Sequence, residues 1–591
     1  MTGPDDAPFR EAEFMAVDLD VDRRPDGTIV IRSRVPLRDH DPNMPRAFAA
    51  RAAERGDAPA IGWRDAGGAW AYRGYAELKR DIDGATQWML DTLPRGSAML
   101  VMAENSLPVA VLSFAAFAAG VVLVPVSMAY GLVGGDHARL RHVVGKTRPG
   151  AVYADPHPAI AAAVNAVFDA DAMVISTDPA AFGRGAAYDA IVATEPRDAV
   201  ARAIATIDPD APAIYMLTSG STGLPKVVPQ SMRALAACGA QGLDMIGKAA
   251  GWDQVMLDWL PWHHAAGASV LRTCLLEGGT LHIDAGKPAP GLFETSIANL
   301  RDVSIAYFNN VPAGYAMLVE ALEGDAALRA SFFRKLRLML YGGAGLPQHV
   351  YDRLQALAVR ETGHRIHMTT GYGMTETVSG CMAIHFPTTR VGIGLPAPGL
   401  DLKLVPYDGR YEVRLRGPNV MKGYLDEPEK NATVFDDEGY YRTGDVATFH
   451  DPADPGQGLA FAGRLAEEFK LANGTWVHGG ALREKLLKAL AGQVTDLVLA
   501  DDGRPYLAMI AWPRPGATLD AIAAGVAEAN EGQHGGSATV RRVALFDTPP
   551  DPRTHEVSDK GTINRRAVLD HRAGLVERVF ADLPDDGVRI I

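Results

Sequence analysis

The chain has 591 residues, of which 47% are hydrophobic and 22% charged, so it is long enough to bury several cores. Its net charge of −13 is modestly acidic and no long basic run occurs, which argues against a nucleic-acid partner. Three cysteines (Cys238, Cys274 and Cys381) are too few for a disulfide framework and lack zinc-site spacing. We therefore expect a cytoplasmic protein of several compact units.

The segment 107–126 is apolar enough to resemble a membrane helix. However, Pro108 opens it, Gly120 interrupts it, and the β-branched run 121–126 is typical of a buried strand. This order predicts a helix, a glycine break and a strand within an α/β protein. The first 18 residues are acidic and lack the basic and apolar regions of a signal peptide. We expect no membrane partner.

The sequence pattern of the chain changes twice along its length. From about residue 45 to 384, Ala-rich helical stretches alternate with short Val/Ile/Leu strands, which predicts parallel sheets covered by helices. Short strands between Gly, Asp and Pro turns predict a barrel-like section over about 391–462. The predicted fold is α/β, with a large N-terminal domain of covered β-sheets (1–464) that contains the barrel-like section, and a small α+β C-terminal domain (465–591).

One loop carries the strongest chemical signal. A predicted strand over 214–217 leads into Thr218, and the loop ends at Pro225 and Lys226. Between them lie hydroxyl and glycine residues: Ser219, Gly220, Ser221, Thr222 and Gly223. Glycines expose backbone N–H donors, hydroxyls add further donors, and the lysine adds a cation, as a polyphosphate requires. No Gly-Lys-Ser/Thr follows a four-residue gap, so this is not a Walker A loop.

Residues 218–226 resemble the signature loop of the adenylate-forming superfamily, which includes acyl-CoA synthetases, luciferases and peptide-synthetase adenylation domains. Further motifs follow in the family's order, at 260–267, 341–345, 370–377 and 441–445, so the resemblance spans about residues 45–570. It implies ATP, Mg²⁺ and coenzyme A as ligands and a carboxylic acid as substrate. It also implies that the small C-terminal domain is mobile about a hinge near Gly463.

The resemblance assigns a role to each matching residue. Those expected to bind the nucleotide are Gly343 and Ala344 at the adenine face, Tyr372 stacked on adenine, Thr375 at the α-phosphate, and Asp445 and Arg464 at the ribose. Glu376, with Thr218, is expected to hold Mg²⁺. Lys226 and Lys560 are expected to reduce the repulsion between the substrate carboxylate and the phosphates. Gly474 is expected to let the pantetheine arm pass close to the backbone.

A second group of residues is expected to line the acyl pocket. His264 takes the place of the motif histidine, and small residues beside it leave room for a flat ring. The full predicted set is His264, Ala265, Tyr307, Asn310, Gly342 and Gly371. The sequence does not separate an aromatic acid from a medium-chain acid on this basis alone.

Residues 463–477 narrow the resemblance further. The run Gly-Arg-Leu-Ala-Glu-Glu-Phe-Lys-Leu, followed by Gly-Thr-Trp-Val, resembles the feruloyl-CoA synthetase branch, which implies a hydroxycinnamate substrate. Two residues depart from most of the superfamily. Ala466 stands where an acidic residue or a lysine marks the hinge, and Arg483 stands about where many relatives have a glutamate.

The sequence leaves three alternatives open. One is an adenylation enzyme that loads another aromatic or fatty acid onto the phosphopantetheine of a carrier protein. Another is an enzyme that releases or oxidises its acyl-adenylate. A third is a relative that binds without catalysis, which the presence of Lys226, Glu376, Asp445 and Lys560 disfavours. The oligomeric state is not determined by the sequence, and a homodimer stays open.

Overall fold

The computed structural model describes residues 6–218, 224–289, 291–471, 476–500, 504, 506–531, 539–551, 554, 556–557 and 563–591. Its strands are β1 (Leu19–Arg23), β2 (Ile29–Ser33), β3 (Pro59–Arg64), β4 (Trp70–Gly74), β5 (Ala98–Met102), β6 (Val122–Pro125), β7 (Pro149–Ala154), β8 (Met173–Ser176), β9 (Ala186–Ala187), β10 (Pro212–Thr218), β11 (Lys226–Ser231), β12 (Val255–Asp258), β13 (Thr280–Ile283), β14 (Tyr307–Asn310), β15 (Leu338–Tyr341), β16 (His367–Thr370), β17 (Tyr372–Gly373), β18 (Gly380–Ala383), β19 (Leu395–Pro396), β20 (Asp401–Tyr407), β21 (Arg410–Arg416), β22 (Tyr441–Phe449), β23 (Leu459–Arg464), β24 (Glu468–Lys470), β25 (Trp476–His478), β26 (Val494–Ala500), β27 (Leu507–Pro513), β28 (Val540–Leu545) and β29 (Val588–Ile590).

The α-helices are α1 (Met44–Arg55), α2 (Tyr75–Thr92), α3 (Leu107–Ala119), α4 (Ala129–Leu132), α5 (Ala138–Thr147), α6 (Pro158–Val167), α7 (Tyr188–Val192), α8 (Asp198–Ala205), α9 (Met232–Ala250), α10 (Ala265–Glu277), α11 (Phe293–Asp302), α12 (Pro312–Gly324), α13 (Ala326–Phe333), α14 (Gln348–Thr362), α15 (Pro428–Val434), α16 (Gly479–Ala489), α17 (Leu519–Asn530), α18 (Arg565–His571) and α19 (Ala573–Phe580). Among the residues described, none of these helices is long and apolar enough to cross a membrane.

The first sheet has seven strands in the order β11-β10-β6-β5-β7-β8-β9, parallel except for the β10–β11 hairpin. Alternate residues of its strands face two different cores, as the period of a strand requires. Met99 and Val101 pack with α3 in the larger core, whereas Leu100 and Met102 pack with α5 and α6 in another. The predicted helix, glycine break and strand over 107–126 are confirmed as α3, a left-handed Gly120 (φ 73°) and β6.

Three smaller sheets lie beside the first sheet in the described part of the large domain. One has the order β12-β13-β3-β4, another is the parallel sheet β14-β15-β16, and the third is the antiparallel sheet β17-β18-β19. In the parallel sheet, Asn310, Tyr341 and Thr370 lie side by side as the last residues of their strands. The turns that follow these strands therefore meet at one edge, which is where open α/β sheets bind ligands.

The predicted barrel-like section is a six-stranded antiparallel sheet in the order β1-β2-β20-β21-β22-β23. It contains two strands that the sequence did not indicate, β1 and β2. They join the sheet through the pairing of β2 with β20, in which Ile29 lies opposite Leu404. Ion pairs reinforce this joint: Lys403 lies 2.9 Å from Asp436, and Arg24 lies 2.8 Å from Glu438. Pairing between such distant segments leaves no local pattern in the sequence.

The C-terminal part has its own cores. The sheet β26-β27-β28-β29 is covered by α16 and α17 on one face and by α18 and α19 on the other. The hairpin β24–β25 joins this part to the six-stranded sheet. Glu468, at the start of the hairpin, lies 2.8 Å from Arg410 and accepts a hydrogen bond from Tyr407 at 3.0 Å. The predicted α/β fold with a small α+β C-terminal part is confirmed, and the boundary at 464/465 stays a prediction.

Candidate active site

The β10–β11 hairpin holds the two ends of the predicted phosphate loop together. Thr218, the last residue of β10, lies directly opposite Lys226, the first residue of β11. Five predicted nucleotide-binding residues lie between them, outside the described residues: Ser219, Gly220, Ser221, Thr222 and Gly223. The hairpin thus presents the threonine hydroxyl and the lysine at the same end of the first sheet.

Lys226 and Glu376 meet through a third side chain. Lys226 Nζ donates to Tyr424 Oη at 3.1 Å, and Tyr424 Oη donates to Glu376 Oε1 at 2.8 Å. Burial lowers the pKa of Lys226, although nearby Glu376 acts in the opposite direction. Burial raises the pKa of Tyr424, and Glu376 raises it further, so the phenol stays neutral and can donate. Tyr424 was not predicted, because it stands outside every motif and carries no local signal in the sequence.

Glu376 is held in place by its backbone. It is 5% exposed and lies in the short turn Thr375–Thr377 that follows β17. Gln230 of β11 donates to the carbonyl of Thr375 at 2.8 Å, and the N–H of Met421 donates to the carbonyl of Glu376 at 2.8 Å. Val378, which closes the turn, has a φ of 67°, an unfavourable conformation for a β-branched residue. Strain of this kind persists where surrounding contacts fix a functional loop.

Asp445 forms a second polar group with two other predicted residues. Tyr372 Oη donates to Asp445 Oδ2 at 2.9 Å, and Arg464 Nε donates to Oδ1 at 3.2 Å. Asp445 and Arg464 face each other across β22 and β23. Burial raises the pKa of Asp445, whereas Arg464 opposes the shift. A carboxylate has about four acceptor positions, so Asp445 can accept two hydroxyl groups in addition.

The two polar groups are neighbours. Tyr424 Oη lies 3.5 Å from Tyr441 Oη, and Tyr441 opens the strand β22 that carries Asp445. The structure therefore brings Lys226, Glu376 and Asp445 into one site, although they come from three separate sheets or turns. Among the residues described, no three His, Cys, Asp or Glu side chains form a closed metal site. A divalent ion here would need oxygen ligands from a bound phosphate as well as Glu376.

The edge of the parallel sheet supplies an open backbone surface beside this site. Gly342 follows β15 and Gly371 follows β16, and a methyl group added to Gly342 would lie 3.6 Å from the Gly371 carbonyl. Gly343 has a φ of 80°, which favours glycine, and both Gly343 and Ala344 are exposed. Such a surface can accommodate a flat base or ring against bare backbone.

The predicted pocket residues divide into two groups. His264 and Ala265 lie at the N-terminus of α10, with the His264 ring 4.3 Å from that of His263. Asn310 is 1% exposed and accepts from the Trp259 indole at 3.1 Å. Tyr307, the first residue of β14, is 4% exposed, and its ring centroid lies 4.9 Å from that of Trp252 in the larger core. Its place in the wall of the acyl pocket stays a prediction.

A cleft with a cavity volume of about 40 Å³ lies between the first sheet, α3 and α10, and His263, the neighbour of His264, is among its lining residues. Ile214 and Met216 of β10 line it, and Trp262, His263 and Arg272 line it from the segment that contains α10. Because side chains alternate along a strand, Thr218 continues the row of Ile214 and Met216, about 7 Å beyond Met216. The cleft therefore lies on the face of β10 that carries Thr218. Neither Trp262 nor Arg272 was predicted as a binding residue.

Two predicted residues of the thioester and adenylation steps lie outside the described residues, namely Lys560 and Gly474. The three cysteines are buried, and burial raises the pKa of the Cys238 thiol to about 11 and that of Cys381 to about 12. A thiol held neutral in this way is a poor nucleophile.

The architecture is that of adenylate-forming enzymes. The structure of ATP-bound MatB from Rhodopseudomonas palustris superposes with a TM-score of 0.68, covering 90% of this chain and 99% of that chain at 22% sequence identity. At this identity the likeness is one of fold. The family model described as "AMP-binding enzyme" matches residues 48–425. The chain belongs to the AMP-binding enzyme family, and its resemblance to the adenylate-forming superfamily is confirmed.

Curated relatives are similar over part of their length. A probable CoA ligase of Humulus lupulus is 31% identical over 261 residues, which are 40% of this chain and 40% of that protein. A mitochondrial malonate–CoA ligase of Mus musculus is 28% identical over 284 residues, 41% of this chain and 46% of that protein. The matched region thus covers less than half the length of each of these relatives.

Proposed function

We propose that this protein is an ATP-dependent carboxylic acid–CoA ligase, which forms an acyl-adenylate with release of pyrophosphate and then an acyl-CoA thioester. The observation that supports this proposal most strongly is the continuous group Lys226–Tyr424–Glu376 beside Tyr372–Asp445–Arg464. A cation and a carboxylate at one end suit phosphates and their metal ion, and a buried carboxylate at the other suits ribose hydroxyls.

The reaction explains why these residue types are needed. A substrate carboxylate must attack the α-phosphate of ATP, so two anionic groups approach each other. Lys226, which Tyr424 orients and burial places in a less polar environment, offsets part of this repulsion. We further propose that Lys560 supplies a second cation for the adenylation step, and that Gly474 lies beside the pantetheine arm in the thioester step.

The chemistry of the site also suits Mg²⁺. Glu376 is an oxygen ligand of the type that Mg²⁺ prefers, and only one of its acceptor positions is used by Tyr424. We propose that Glu376 holds the ion, with Thr218 near it, and that the bound ion neutralises phosphate charge. Chelation with EDTA should abolish pyrophosphate release, and added Mg²⁺ should restore it.

For the acid we propose a hydroxycinnamate such as ferulate. This proposal is supported by the sequence pattern of residues 463–477 and by the small residues Gly342, Gly371 and Ala265, which leave space for a flat ring. The aromatic lining of the cleft by Phe114, Phe117 and Trp262 suits such a ring as well.

The test is pyrophosphate release with ATP and Mg²⁺ over a panel of ferulate, caffeate, coumarate, benzoate and fatty acids, each with and without CoA. We expect release to be fastest with a hydroxycinnamate and a thioester to form only with CoA. Release driven by another acid would keep the ligase and refute the hydroxycinnamate. Adenylate formation without any CoA-dependent product would favour the carrier-loading alternative, and formation of ADP would refute adenylation.

A further inference from the structure

Two buried hydrogen-bond donors face the cleft without an acceptor. Arg272 is 5% exposed, and its Nη1 has no hydrogen-bond partner among the described residues. Trp262 is 6% exposed, and its indole N–H likewise has none in this part of the chain. Both side chains line the cleft. An acceptor atom on a bound molecule could pair with both donors.

The environment of Arg272 sharpens this point. No carboxylate among the described residues forms an ion pair with it, and its nearest titratable neighbour is the Cys238 thiol. Burial lowers the pKa of Arg272 to about 10, so the guanidinium still carries its charge at neutral pH. A buried, unpaired cation is unfavourable unless an acceptor or an anion offsets it. The rest of the lining is mainly apolar, including Phe114, Phe117 and Leu271.

The cleft is also fixed in relation to the end of the first sheet. The N–H of Trp262 donates to Asn105 Oδ1 at 2.9 Å, and Asn105 Nδ2 donates to the carbonyl of Leu260 at 2.9 Å. Asn105 follows β5, so Trp262 is tied to the end of the sheet whose strand β10 leads to Thr218. Met216 and Arg272 line the same cleft, and Thr218 lies two residues beyond Met216 on the same face of β10.

We propose that the cleft binds the end of the acyl group remote from the activated carboxylate, and that Arg272 and the Trp262 indole there recognise an oxygen acceptor. This inference rests on the proposed ligase function and names its substrate class: acids that carry a second oxygen group, either a phenolic oxygen or a second carboxylate. Arg272 is then a specificity-determining residue, since it distinguishes acids by their far end.

The test compares three acids of one shape: cinnamate, 4-hydroxycinnamate and 4-carboxycinnamate. With the wild-type protein, kcat/KM for pyrophosphate release should favour an acceptor-bearing acid over cinnamate on the order of 10²-fold or more, because a polar site rejects an analogue that leaves it unpaired. The preferred acid identifies the source of the acceptor. In Arg272→Met this ratio should fall toward one. Trp262→Phe, which keeps the ring and removes the N–H, should reduce it in part.

Controls separate specificity from folding. Arg272→Lys keeps the charge and should retain part of the preference, and Arg301→Met, whose partner Asp325 lies at the surface, should leave the ratio intact. Arg272→Met should unfold at a higher temperature than wild type, because it removes an unpaired buried cation. The inference would be overturned if the wild-type ratio of kcat/KM values were near one, or if Arg272→Met kept the wild-type ratio. Turnover of cinnamate in either case would still support the ligase function.

If no acid releases pyrophosphate, the proposed function fails, and direct binding decides the inference. Calorimetry with the same three acids should then show tighter binding of an acceptor-bearing acid to wild type than to Arg272→Met. Equal affinities for all three acids would overturn the inference independently of catalysis.

Discussion

Tyr424 is a residue whose role depends entirely on its two partners. Its hydroxyl accepts from Lys226 and donates to Glu376, and its ring lies 4.2 Å from the Lys226 ammonium. A neutral phenol can satisfy both charges because it is at once a donor and an acceptor. Tyr424 therefore sets the position of two residues that we propose to act on ATP.

We predict that Tyr424→Phe lowers kcat/KM for pyrophosphate release about tenfold or more, because Lys226 and Glu376 lose their shared partner. The double variant Lys226→Met/Tyr424→Phe should be no slower than Lys226→Met alone, because the two residues act as one unit. The measurement is steady-state pyrophosphate release. Tyr440→Phe, whose hydroxyl bonds Asp401 at 3.3 Å, is the control and should stay near wild type. Additive losses would contradict this account.

At the scale of single elements, the position of α10 depends on a glycine, Gly267, which has no side chain. A methyl group on Gly267 would lie 2.4 Å from the Leu260 carbonyl and 2.5 Å from the Pro261 carbonyl. The helix can therefore approach the preceding segment only with glycine at this place. The close contact fixes His264 and Ala265 at its N-terminus and Arg272 farther along it.

We predict that Gly267→Ala destabilises the protein by about 1–3 kcal/mol, because the backbone must move to relieve overpacking. Gly239→Ala in α9 is a matched control, since nothing lies within 4 Å of the added methyl group. That change should stabilise the protein by up to about 1 kcal/mol through helix propensity. Urea unfolding of both variants checks the difference, and equal effects of the two changes would be inconsistent with it.

The ion pair between Lys403 of β20 and Asp436 is a second feature at the scale of single elements. Lys403 is 8% exposed at its side chain and Asp436 is 5% exposed, so their pair is largely removed from water. Burial works against ionisation of Asp436, but hydrogen bonds from Lys403, Tyr440 and Arg414 outweigh it and lower its pKa to about 2. The ionised carboxylate is therefore more stable in the folded than in the unfolded protein.

We predict that Asp436→Asn costs about 3 kcal/mol at neutral pH, because Lys403 loses a buried partner. Since the pKa is lowered on folding, the stabilisation is complete above about pH 4 and disappears as the pH falls through about 2. The free-energy difference between wild type and variant should therefore shrink over this range in urea unfolding. The exposed neighbour Asp437→Asn should show little effect. A difference that does not change with pH would refute the assignment.

At the scale of the whole molecule, one carboxylate joins the C-terminal hairpin to the six-stranded sheet. Glu468 is 3% exposed at its side chain and contacts Tyr407, Arg410 and, at 3.2 Å, His478. Two of these partners belong to the sheet or its edge, and the third ends β25. The connection lies close to Ala466, the residue that replaces the usual hinge residue of the superfamily.

We predict that Glu468→Gln increases amide hydrogen exchange in β24 and β25 by about tenfold or more, because it removes the negative charge of a buried ion pair. Exchange in the parallel sheet β14-β15-β16 should not change. Mass spectrometry of exchanged peptides measures both regions in one sample. The variant Glu467→Gln, in the adjoining turn, serves as the control. Unchanged exchange in the hairpin would show that other contacts hold it.

Features that depend on local sequence were predictable, whereas features that depend on contacts between distant segments were not. The helix–glycine–strand order over 107–126 and the strand before Thr218 were predictable, because periodicity and glycine act locally. The meeting of Asp445 and Arg464 followed from their motifs. Tyr424, the pairing of β2 with β20, and the unpaired Arg272 were not predictable, because each depends on contacts between distant segments. Tyr307 packs in the larger core, and its place in the acyl pocket stays a prediction.

The pairing of β2 with β20 has a consequence for how the protein is made. Val30 and Ile31 are fully buried in the finished sheet, yet their partner strand leaves the ribosome only after most of the large domain. At about 5–20 residues per second, the first two strands wait on the order of tens of seconds with an apolar, unpaired edge. Slower elongation lengthens that exposure, so the yield of native protein should depend on translation speed and on chaperones that shield the nascent N-terminus.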